Sequence, residues 1–385
     1  MLTQVRINRP AWPGIRPANN EFTRHVPKNI RRWIERILRS KFLEGDIMVL
    51  ECAALSECSS DRPFGHYYIK ARSSDKGIGL YVRVAKPWTS AEREILASVS
   101  SHLSIGGCNV QEWLNSKRNE GPFLIDNSSF AESVQISVSP FRELEQLYPS
   151  ADALRKAGNA LGKFHKCLKS FKDAGTVAVA TSERTKKLEK VKRVFSGEEK
   201  TGISAVNEAV KGFSKKHPGF ISRLVKDYTP DFRILHGPES QPIHGDINAG
   251  NIYREAGGGI VILDLEETRH SYFPVLVDIA FFVQRFICFD APDIALLGSR
   301  MESFFDGYSG LDSTRWYSEN GKIAEQLACM MRQICYYSMC VLVYAYEEDE
   351  GYPFASESEK FACLEQQAVE YLPVFRKLDK QVFHE

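Results

Sequence analysis

The spacing of apolar residues first becomes regular at residue 28. From there to residue 42 they recur three and four positions apart, the period of a helix with one buried stripe. They are Ile30, Trp33, Ile34, Ile37, Leu38 and Phe42. The arginines lie largely off this stripe, so the helix either packs on the protein with its arginines in solvent, which we predict, or contacts an anionic or membrane surface. Residues 1–20 lack such a period and predict an extended arm.

Strand patterns follow this helix. Apolar or alternating runs at 47–52, 66–70 and 79–84 predict three strands. The glycine and aspartate within 73–77 predict a hairpin between the second and the third strand. A helix is expected over 89–103, because a threonine at its start and a glutamate three positions later form a capping-box pattern.

Residues 134–139 alternate between apolar and polar, as an exposed strand does, and Pro140 ends the pattern. Beyond this point the period is helical. Helices are predicted over 151–171, 278–289, 295–307 and 322–346, with a polar, lysine-rich insert at 172–235. We therefore predict a sheet-bearing first part, an adenine-facing linker at 135–139 and a mainly helical second part.

The candidate chemistry lies in residues 242–266, PIHGDINAGNIYREAGGGIVILDLE. Asn251 follows Asp246 by five positions, and Asp264 comes thirteen positions later, after an apolar strand–turn–strand pattern. A hairpin here would bring Asp264 back beside Asn251. One carboxylate that orients an acceptor hydroxyl, with an amide oxygen and a second carboxylate for Mg²⁺, is the set that phosphoryl transfer needs.

Either half of this pattern alone has a simpler explanation, because an aspartate after an apolar strand is often a turn residue or a helix cap. The two halves in this order, joined by a hairpin pattern, favour an active site over that explanation.

These residues carry a resemblance to a known family. His244-Gly245-Asp246 with Asn251, followed by Leu263-Asp264-Leu265-Glu266, resembles the aminoglycoside phosphotransferase and choline kinase group, whose pattern is H-G-D-x-x-x-x-N and then D-x-E or D-x-D. The resemblance implies an α+β, two-lobed, protein-kinase-like fold with a small antiparallel-sheet lobe and a large mainly helical lobe. It implies ATP and Mg²⁺ as cofactors, and the hydroxyl of a sugar, amino-alcohol or aminoglycoside-like molecule as acceptor.

The same resemblance implies the site residues. Asp246 is the catalytic base, Asn251 and Asp264 are Mg²⁺ ligands, and Glu266 is a weaker, water-mediated neighbour of the metal. Asp278 resembles the later D-L-A element of the group, and we expect it to anchor the catalytic loop by hydrogen bonds. His165 ends an L-G-K-F-H segment similar to a helix of the group, and we expect a buried structural histidine there.

Nucleotide-binding residues are predicted from the kinase template. Arg83 on the third strand is the expected phosphate-binding cation, with Glu94 of the next helix as its partner and Glu92 as second choice. Lys70 and Lys86 are the alternative candidates for the phosphate-binding cation. If Arg83 has no functional role, it is simply a strand residue that faces solvent. The adenine edge is expected to meet the backbone of Gln135, Ile136 and Ser137. The template's glycine-rich loop is missing, since residues 53–63 contain serines but no glycine before Pro63.

Composition sets broader limits. At 385 residues the chain is long enough for an arm and helix (1–44), a nucleotide-binding lobe (45–139) and a catalytic and acceptor-binding lobe (140–385). A net charge of +1 gives no field that favours nucleic acid. The nine cysteines include no C-x-x-C pair, so we expect reduced thiols in the cytoplasm. The apolar run 273–289 is interrupted by polar residues, so no membrane span is expected.

Three functions remain open at this point. A small-molecule kinase is favoured. A kinase of a protein or peptide acceptor would need a broad open groove, and a non-catalytic binding module with a kinase fold would explain the missing glycine loop. The acidic run 347–350 either collects a polycationic acceptor or is a solvated helix end. The acceptor and the oligomeric state are not specified by the sequence.

Overall fold

The computed structural model describes residues 26–43, 47–54, 63–73, 76–117, 121–229, 232, 240–288, 294–308, 323–348 and 354–382. Contacts between residues divide the chain into two compact units. One, the sheet unit, contains the described residues up to Leu147 together with Gly250–Leu265. The other, the helical unit, contains Tyr148–Ala249 and the described residues from Glu266 onward.

The sheet unit is built on an antiparallel sheet of five strands among its described residues. They are β1 (Ile47–Ala54), β2 (Gly65–Ser73), β3 (Lys76–Ala85), β4 (Phe123–Asp126) and β5 (Val134–Pro140). Their order is β1-β2-β3-β5-β4. The three strands predicted before residue 85 are confirmed. The four-residue strand β4 was not predicted, and it pairs with β5 on the edge opposite β3.

An amphipathic helix packs on this sheet, as predicted. Helix α1 (Lys28–Ile37) continues into one turn of π-helix (Leu38–Phe42). Its residues Ile30, Trp33 and Ile34 are buried in one hydrophobic cluster with strand residues of the sheet. The Trp33 indole also donates a hydrogen bond of 2.8 Å to Asp126 at the end of β4. The arm at residues 1–20 lies outside the described residues.

Helix α2 (Ser90–Ile105) begins at the predicted cap. Thr89 Oγ1 accepts a hydrogen bond from the Glu92 backbone N–H, and the Glu92 carboxylate accepts one from the Thr89 N–H. This reciprocal pair satisfies two backbone donors that a helix start otherwise leaves unpaired.

A second, three-stranded sheet of the same unit carries the predicted hairpin. Strand β6 (Leu144–Gln146) pairs with β8 (Ile252–Glu255), which pairs with β9 (Ile260–Ile262). The turn between β8 and β9 contains Gly258 at a φ of +80°, a conformation that glycine adopts without strain. The hairpin therefore belongs to the sheet unit, although the sequence alone suggested a place in the helical lobe.

The helical unit contains the remaining elements. Its described helices are α3 (Ala151–Lys169), α4 (Ala174–Ser196), α5 (Ser204–Lys216), α6 (Pro218–Asp227), α7 (Leu276–Phe282), α8 (Ile294–Gly307), α9 (Ile323–Glu348) and α10 (Phe354–Val382). Strand β7 (Gln241–Pro242) pairs with β10 (Tyr272–Phe273). One π-helical turn, Val283–Ile287, continues α7, and a 3-10 helix spans Leu265–His270. The four predicted helices are confirmed, whereas α10 was not predicted.

A buried carboxylate ties three of these helices together. Glu365 of α10 is fully buried and accepts hydrogen bonds from Arg223 of α6 at 2.6 and 2.8 Å, and from Tyr336 and Arg332 of α9 at 2.7 and 3.3 Å. Burial by itself would raise the pKa of Glu365, but these donors outweigh it and lower the pKa. The hydrogen bonds of Glu365 to Arg332 and Tyr336 therefore hold α9 and α10 together.

One described helix, Gln326–Glu347, has the length and apolar composition of a membrane span. Its apolar window is 72% buried within the protein, and the core helix of a soluble protein has the same properties, so this resemblance is weak. The run 273–289, singled out from the sequence, instead forms α7 and its π-helical turn. The described cysteines are all free thiols.

Candidate active site

Asp246 sits in a tight loop that follows β7 in the helical unit. Gly245 before it has a φ of +84°, and a Cβ at this position would lie 2.1 Å from Ser271 Oγ, so only glycine fits. The Asp246 N–H donates to His244 Nδ1 at 3.2 Å, and the Asn248 N–H donates to the Asp246 carbonyl at 2.9 Å. The backbone thus fixes the loop, and the Asp246 carboxylate is left partly exposed.

Asp278 of α7 anchors this loop, as predicted. Its side chain is completely buried. The His244 N–H donates to Oδ2 and the Gly245 N–H donates to Oδ1, both at 2.8 Å. Backbone donors to an ionised carboxylate make strong, directional bonds, so Asp278 holds the two residues immediately before Asp246.

His165 of α3 completes the anchor from the other side. Its Nε2 lies 2.9 Å from Asp278 Oδ2, and its Nδ1 lies 2.5 Å from the Tyr308 hydroxyl. The imidazole is buried and both of its nitrogens are occupied within the core. This confirms the expected structural histidine, which positions Asp278.

The hairpin of the sheet unit brings the two predicted metal ligands side by side. Ile252 pairs with Ile262, and the Leu263 N–H donates to the Asn251 carbonyl at 2.9 Å, so Asp264 lies next to Asn251. Asp264 has a φ of +58°, an unusual conformation for a residue other than glycine, and its N–H donates to Gln111 Oε1 at 3.2 Å. Such backbone conformations occur often at functional sites.

The donor set of this hairpin fits Mg²⁺. The pair offers one amide oxygen and one carboxylate, and Mg²⁺ commonly takes few protein ligands and completes its shell with phosphate oxygens and water. No cluster of three or more His, Cys, Asp or Glu side chains suited to a metal is found within the described part of the chain. Glu266, the weaker candidate, lies in the 3-10 helix and belongs to the helical unit. Its role stays a prediction.

An open pocket of about 370 Å³ in the sheet unit lies beside this pair. Its lining is Tyr81, Gln111, Glu112, Ser139, Pro140, Phe141, Arg142, Leu144 and Leu263. Gln111 also holds the Asp264 backbone, and Leu263 directly precedes Asp264. The pocket and the ligand pair therefore share parts of one wall.

Gln135, Ile136 and Ser137, predicted to meet the adenine edge, lie in the middle of β5, which pairs with β3 on one side and with β4 on the other. They are not part of the lining of this pocket, and their role in nucleotide binding stays a prediction. The segment that reaches the pocket is 139–142, beyond the last residue that pairs with β4. In the sequence, Pro140 marks the end of β5, and this end of the strand is the part that reaches the pocket.

Arg83 has the predicted place on β3, but its predicted partner is different. The guanidinium lies 5.5 Å over the Trp88 ring, and the exposed Glu94 carboxylate accepts from Ser90 Oγ at 3.0 Å. No ion pair between Arg83 and Glu94 is found among the described residues. The second choice, Glu92, serves in the cap of α2.

The histidine paired with Arg83 in the sheet, His66, does not add positive charge near it. His66 lies opposite Arg83 in the sheet, and burial together with the Arg83 charge lowers the pKa of this histidine to about 3. The imidazole is therefore neutral near pH 7. Residues 55–62 of the predicted phosphate loop lie outside the described residues.

A larger pocket, of about 740 Å³, opens in the helical unit next to the catalytic loop. Gly245, Asp246 and Asn248 form one wall, and the π-helical turn after α7 together with α9 and α10 forms the rest. This pocket was not predicted from the sequence, because α10, which forms part of its wall, was not predicted. Glu347, near the end of α9, is not among the described residues that line it, and 349–350 are outside the described ranges.

Comparison with known proteins supports the fold. No protein-family model matches the chain, and no curated protein sequence matches it. Solved structures do match over most of its length. A spectinomycin phosphotransferase in an AMP-bound complex has a TM-score of 0.55 at 14% identity and covers 91% of this chain and 98% of its own. An amicoumacin kinase in complex with AMP-PNP, Ca²⁺ and Ami has a TM-score of 0.54 at 13% identity. The match covers 91% of this chain and 97% of the amicoumacin kinase chain.

An aminoglycoside phosphotransferase from Alicyclobacillus acidocaldarius has a TM-score of 0.50 at 11% identity and covers 95% of this chain and all of its own. At these identities the likeness shows the fold. The α+β, kinase-like fold, with an antiparallel-sheet N-terminal region and a helical C-terminal region, is confirmed, and so is the resemblance to this group at the level of the fold.

Proposed function

We propose that this protein is a kinase that transfers the terminal phosphoryl group of ATP to a hydroxyl of a small molecule. One observation carries the proposal. Asp246, held by the buried Asp278, lines a pocket of small-molecule size, and the next residues of the chain form the Asn251–Asp264 pair. These are the carboxylate and the oxygen ligands that phosphoryl transfer requires.

The chemistry assigns a role to each group. The acceptor oxygen forms a bond to the γ-phosphorus while the bond from that phosphorus to the β,γ-bridging oxygen breaks, and ADP leaves. Asp246 orients the hydroxyl by accepting its hydrogen bond and takes its proton as the new bond forms. Mg²⁺ bound to Asn251 and Asp264, with Glu266 as a water-mediated neighbour, would neutralise the charge on the phosphates.

The nucleotide is assigned to the smaller pocket of the sheet unit. The pocket lies beside Asp264, its walls include aromatic and apolar residues, and residues 139–142 form part of its lining. Two matching structures are complexes with AMP-PNP and AMP, which supports an adenine nucleotide here. Arg83 is proposed to bind phosphate oxygens.

The larger pocket favours a small acceptor. Its walls come from several elements of the helical unit, and its lining combines apolar side chains with a few polar groups, as small-molecule sites commonly do. The alternative of a binding module leaves Asp246, Asn251 and Asp264 without a purpose, since binding alone does not need this set.

A turnover assay tests the proposal. The protein is incubated with ATP, MgCl₂ and a panel of sugars, amino alcohols and hydroxy acids, and both ADP and the phosphorylated product are measured by mass spectrometry. We expect ADP release that depends on the acceptor and a product that gains one HPO₃. ATP consumption that no acceptor stimulates, and that persists unchanged in Asp246→Asn, would contradict the proposal.

A further inference from the structure

The larger pocket contains a cation, Arg285, two of whose nitrogens have no hydrogen-bond partner among the described residues. Arg285 projects from the π-helical turn after α7, and its guanidinium lies 5.5 Å from the Phe281 ring centroid and 5.6 Å from that of Phe361. Its Nε and Nη2 are buried without a hydrogen-bond partner among the described residues. Buried donors without a hydrogen-bond partner are costly, so an anion that accepts hydrogen bonds from both nitrogens would stabilise this arrangement.

The π-helical turn that carries Arg285 is tied to the neighbouring helices. The neighbouring Gln284 is buried, and its Nε2 donates to the carbonyls of Met331 and Leu364 at 3.3 and 3.1 Å. These bonds tie the π-helical turn to α9 and α10. π-Helical turns within helices are frequent at functional sites.

Apart from Asp246, the other charged side chains of the pocket lining are paired. Glu267 accepts from Arg184 at 2.5 Å, and Glu357 pairs with Lys360. Burial by itself would raise the pKa of Glu267, but the Arg184 guanidinium outweighs it and the pKa is lowered. Within the described lining, the acidic character expected of a site for polycations is therefore largely cancelled by these pairs.

A second donor without a partner lies on the same wall. The Tyr337 hydroxyl is buried and has no hydrogen-bond partner in the described structure. Burial, with a contribution from the Asp246 charge, raises the pKa of Tyr337 to about 12, so the group keeps its proton. Arg285 and Tyr337 thus both offer donors, and a ligand that satisfies them must bring acceptor oxygens.

We infer that the acceptor is a hydroxy acid, whose carboxylate or other oxyanion binds Arg285 while its hydroxyl faces Asp246. A guanidinium presents a planar fork that matches a carboxylate, and the Phe281 and Phe361 rings offer apolar surface for the body of such a molecule. An aminoglycoside would instead place ammonium groups against Arg285. This inference rests on the proposed kinase activity and narrows its substrate class.

A matched acceptor series tests the inference. ω-Hydroxy carboxylates of increasing chain length, with and without a phenyl ring, are compared with the corresponding ω-hydroxy amides and amino alcohols in the turnover assay. We expect kcat/KM for the best acid to exceed that of its amide by about 10- to 100-fold, the size of a hydrogen bond to a charged group. Arg285→Gln should remove this preference, and Arg285→Lys should keep part of it. Arg155→Gln, an exposed arginine of α3, is the control with an unchanged ratio.

The outcomes separate this inference from the proposed function. Turnover of neutral or amino alcohols without preference for acids, or an Arg285→Gln variant with the wild-type ratio, would overturn the hydroxy-acid assignment and leave the kinase intact. Absence of turnover with every compound, together with absence of nucleotide binding, would overturn the kinase proposal and this inference with it. If nucleotide binds but no compound turns over, the acids must still raise the melting temperature of the wild type with AMP-PNP, and not that of Arg285→Gln; failure to do so also overturns the assignment.

Discussion

Replacing Asp246 with asparagine is expected to lower kcat by about 10²- to 10⁴-fold, the usual contribution of a positioned base. Asparagine has the same shape, and the turn is held by hydrogen bonds from the Asp246 N–H and to its carbonyl, so the loop should keep its conformation. The amide cannot take the proton of the acceptor hydroxyl. The pocket assigned to the nucleotide is lined by residues of the sheet unit, so the Kd for AMP-PNP should change by no more than a few-fold.

The comparison needs a control for loss of one carboxylate. Asp152, exposed on α3 and paired with Lys156 at 2.9 Å, serves this purpose, and Asp152→Asn should keep the wild-type kcat. Steady-state kinetics with a fixed acceptor and calorimetry with AMP-PNP provide the two readouts. An Asp246→Asn enzyme that retains most of its kcat would remove Asp246 from the catalytic role.

Replacing Asp278 with alanine is expected to damage both the fold and the site. Two backbone N–H groups and the His165 imidazole would lose their shared acceptor inside the protein. Removing one member of a buried charged network costs about 3–5 kcal/mol. For a unit of this size that corresponds to a fall in Tm on the order of 10 °C. The loop before Asp246 would also lose its anchor, so kcat should fall even at temperatures where the variant is folded.

A milder change in the same network keeps this prediction testable if Asp278→Ala does not fold. Tyr308→Phe removes only the hydroxyl that contacts His165 Nδ1, and we expect a loss of about 1 kcal/mol with little change in kcat. Thermal unfolding and kinetics of both variants give the graded series. Asp278→Ala with wild-type Tm and wild-type kcat would show that the anchor has no role.

The parts of the site that lie close together in sequence could be predicted. The catalytic loop and the β8–β9 hairpin are local, and their glycines, apolar strands and polar ends specify both turns. The cap of α2 is equally local, since Thr89 and Glu92 bond to each other. Asp278 and His165 are far apart in sequence, and the family resemblance rather than any local pattern connected the former to the loop.

The parts that depend on distant pairing could not be predicted. Strand β4 is only four residues long, and without it β5 looked like an exposed linker and not a central strand. The predicted adenine-facing residues therefore lie inside the sheet, whereas the residues of β5 that reach the smaller pocket come at its end. Helix α10 escaped detection because its composition is polar and it contains Pro373, and with it the Phe361 side of the larger pocket was missed. From the sequence, Arg285 is only one of the polar residues that interrupt the apolar run 273–289, and no role was predicted for it.

The most direct test of the kinase proposal is calorimetry with AMP-PNP, with and without Mg²⁺, on the wild-type protein and on Asp264→Asn. We expect wild-type binding that Mg²⁺ strengthens at least about tenfold, because the Asp264 carboxylate supplies a charged ligand for the metal on the phosphates. In Asp264→Asn the Mg²⁺-dependent gain should disappear while weak, metal-independent binding remains. No binding of AMP-PNP to the wild-type protein, or a gain from Mg²⁺ that is equal in both proteins, would contradict this assignment.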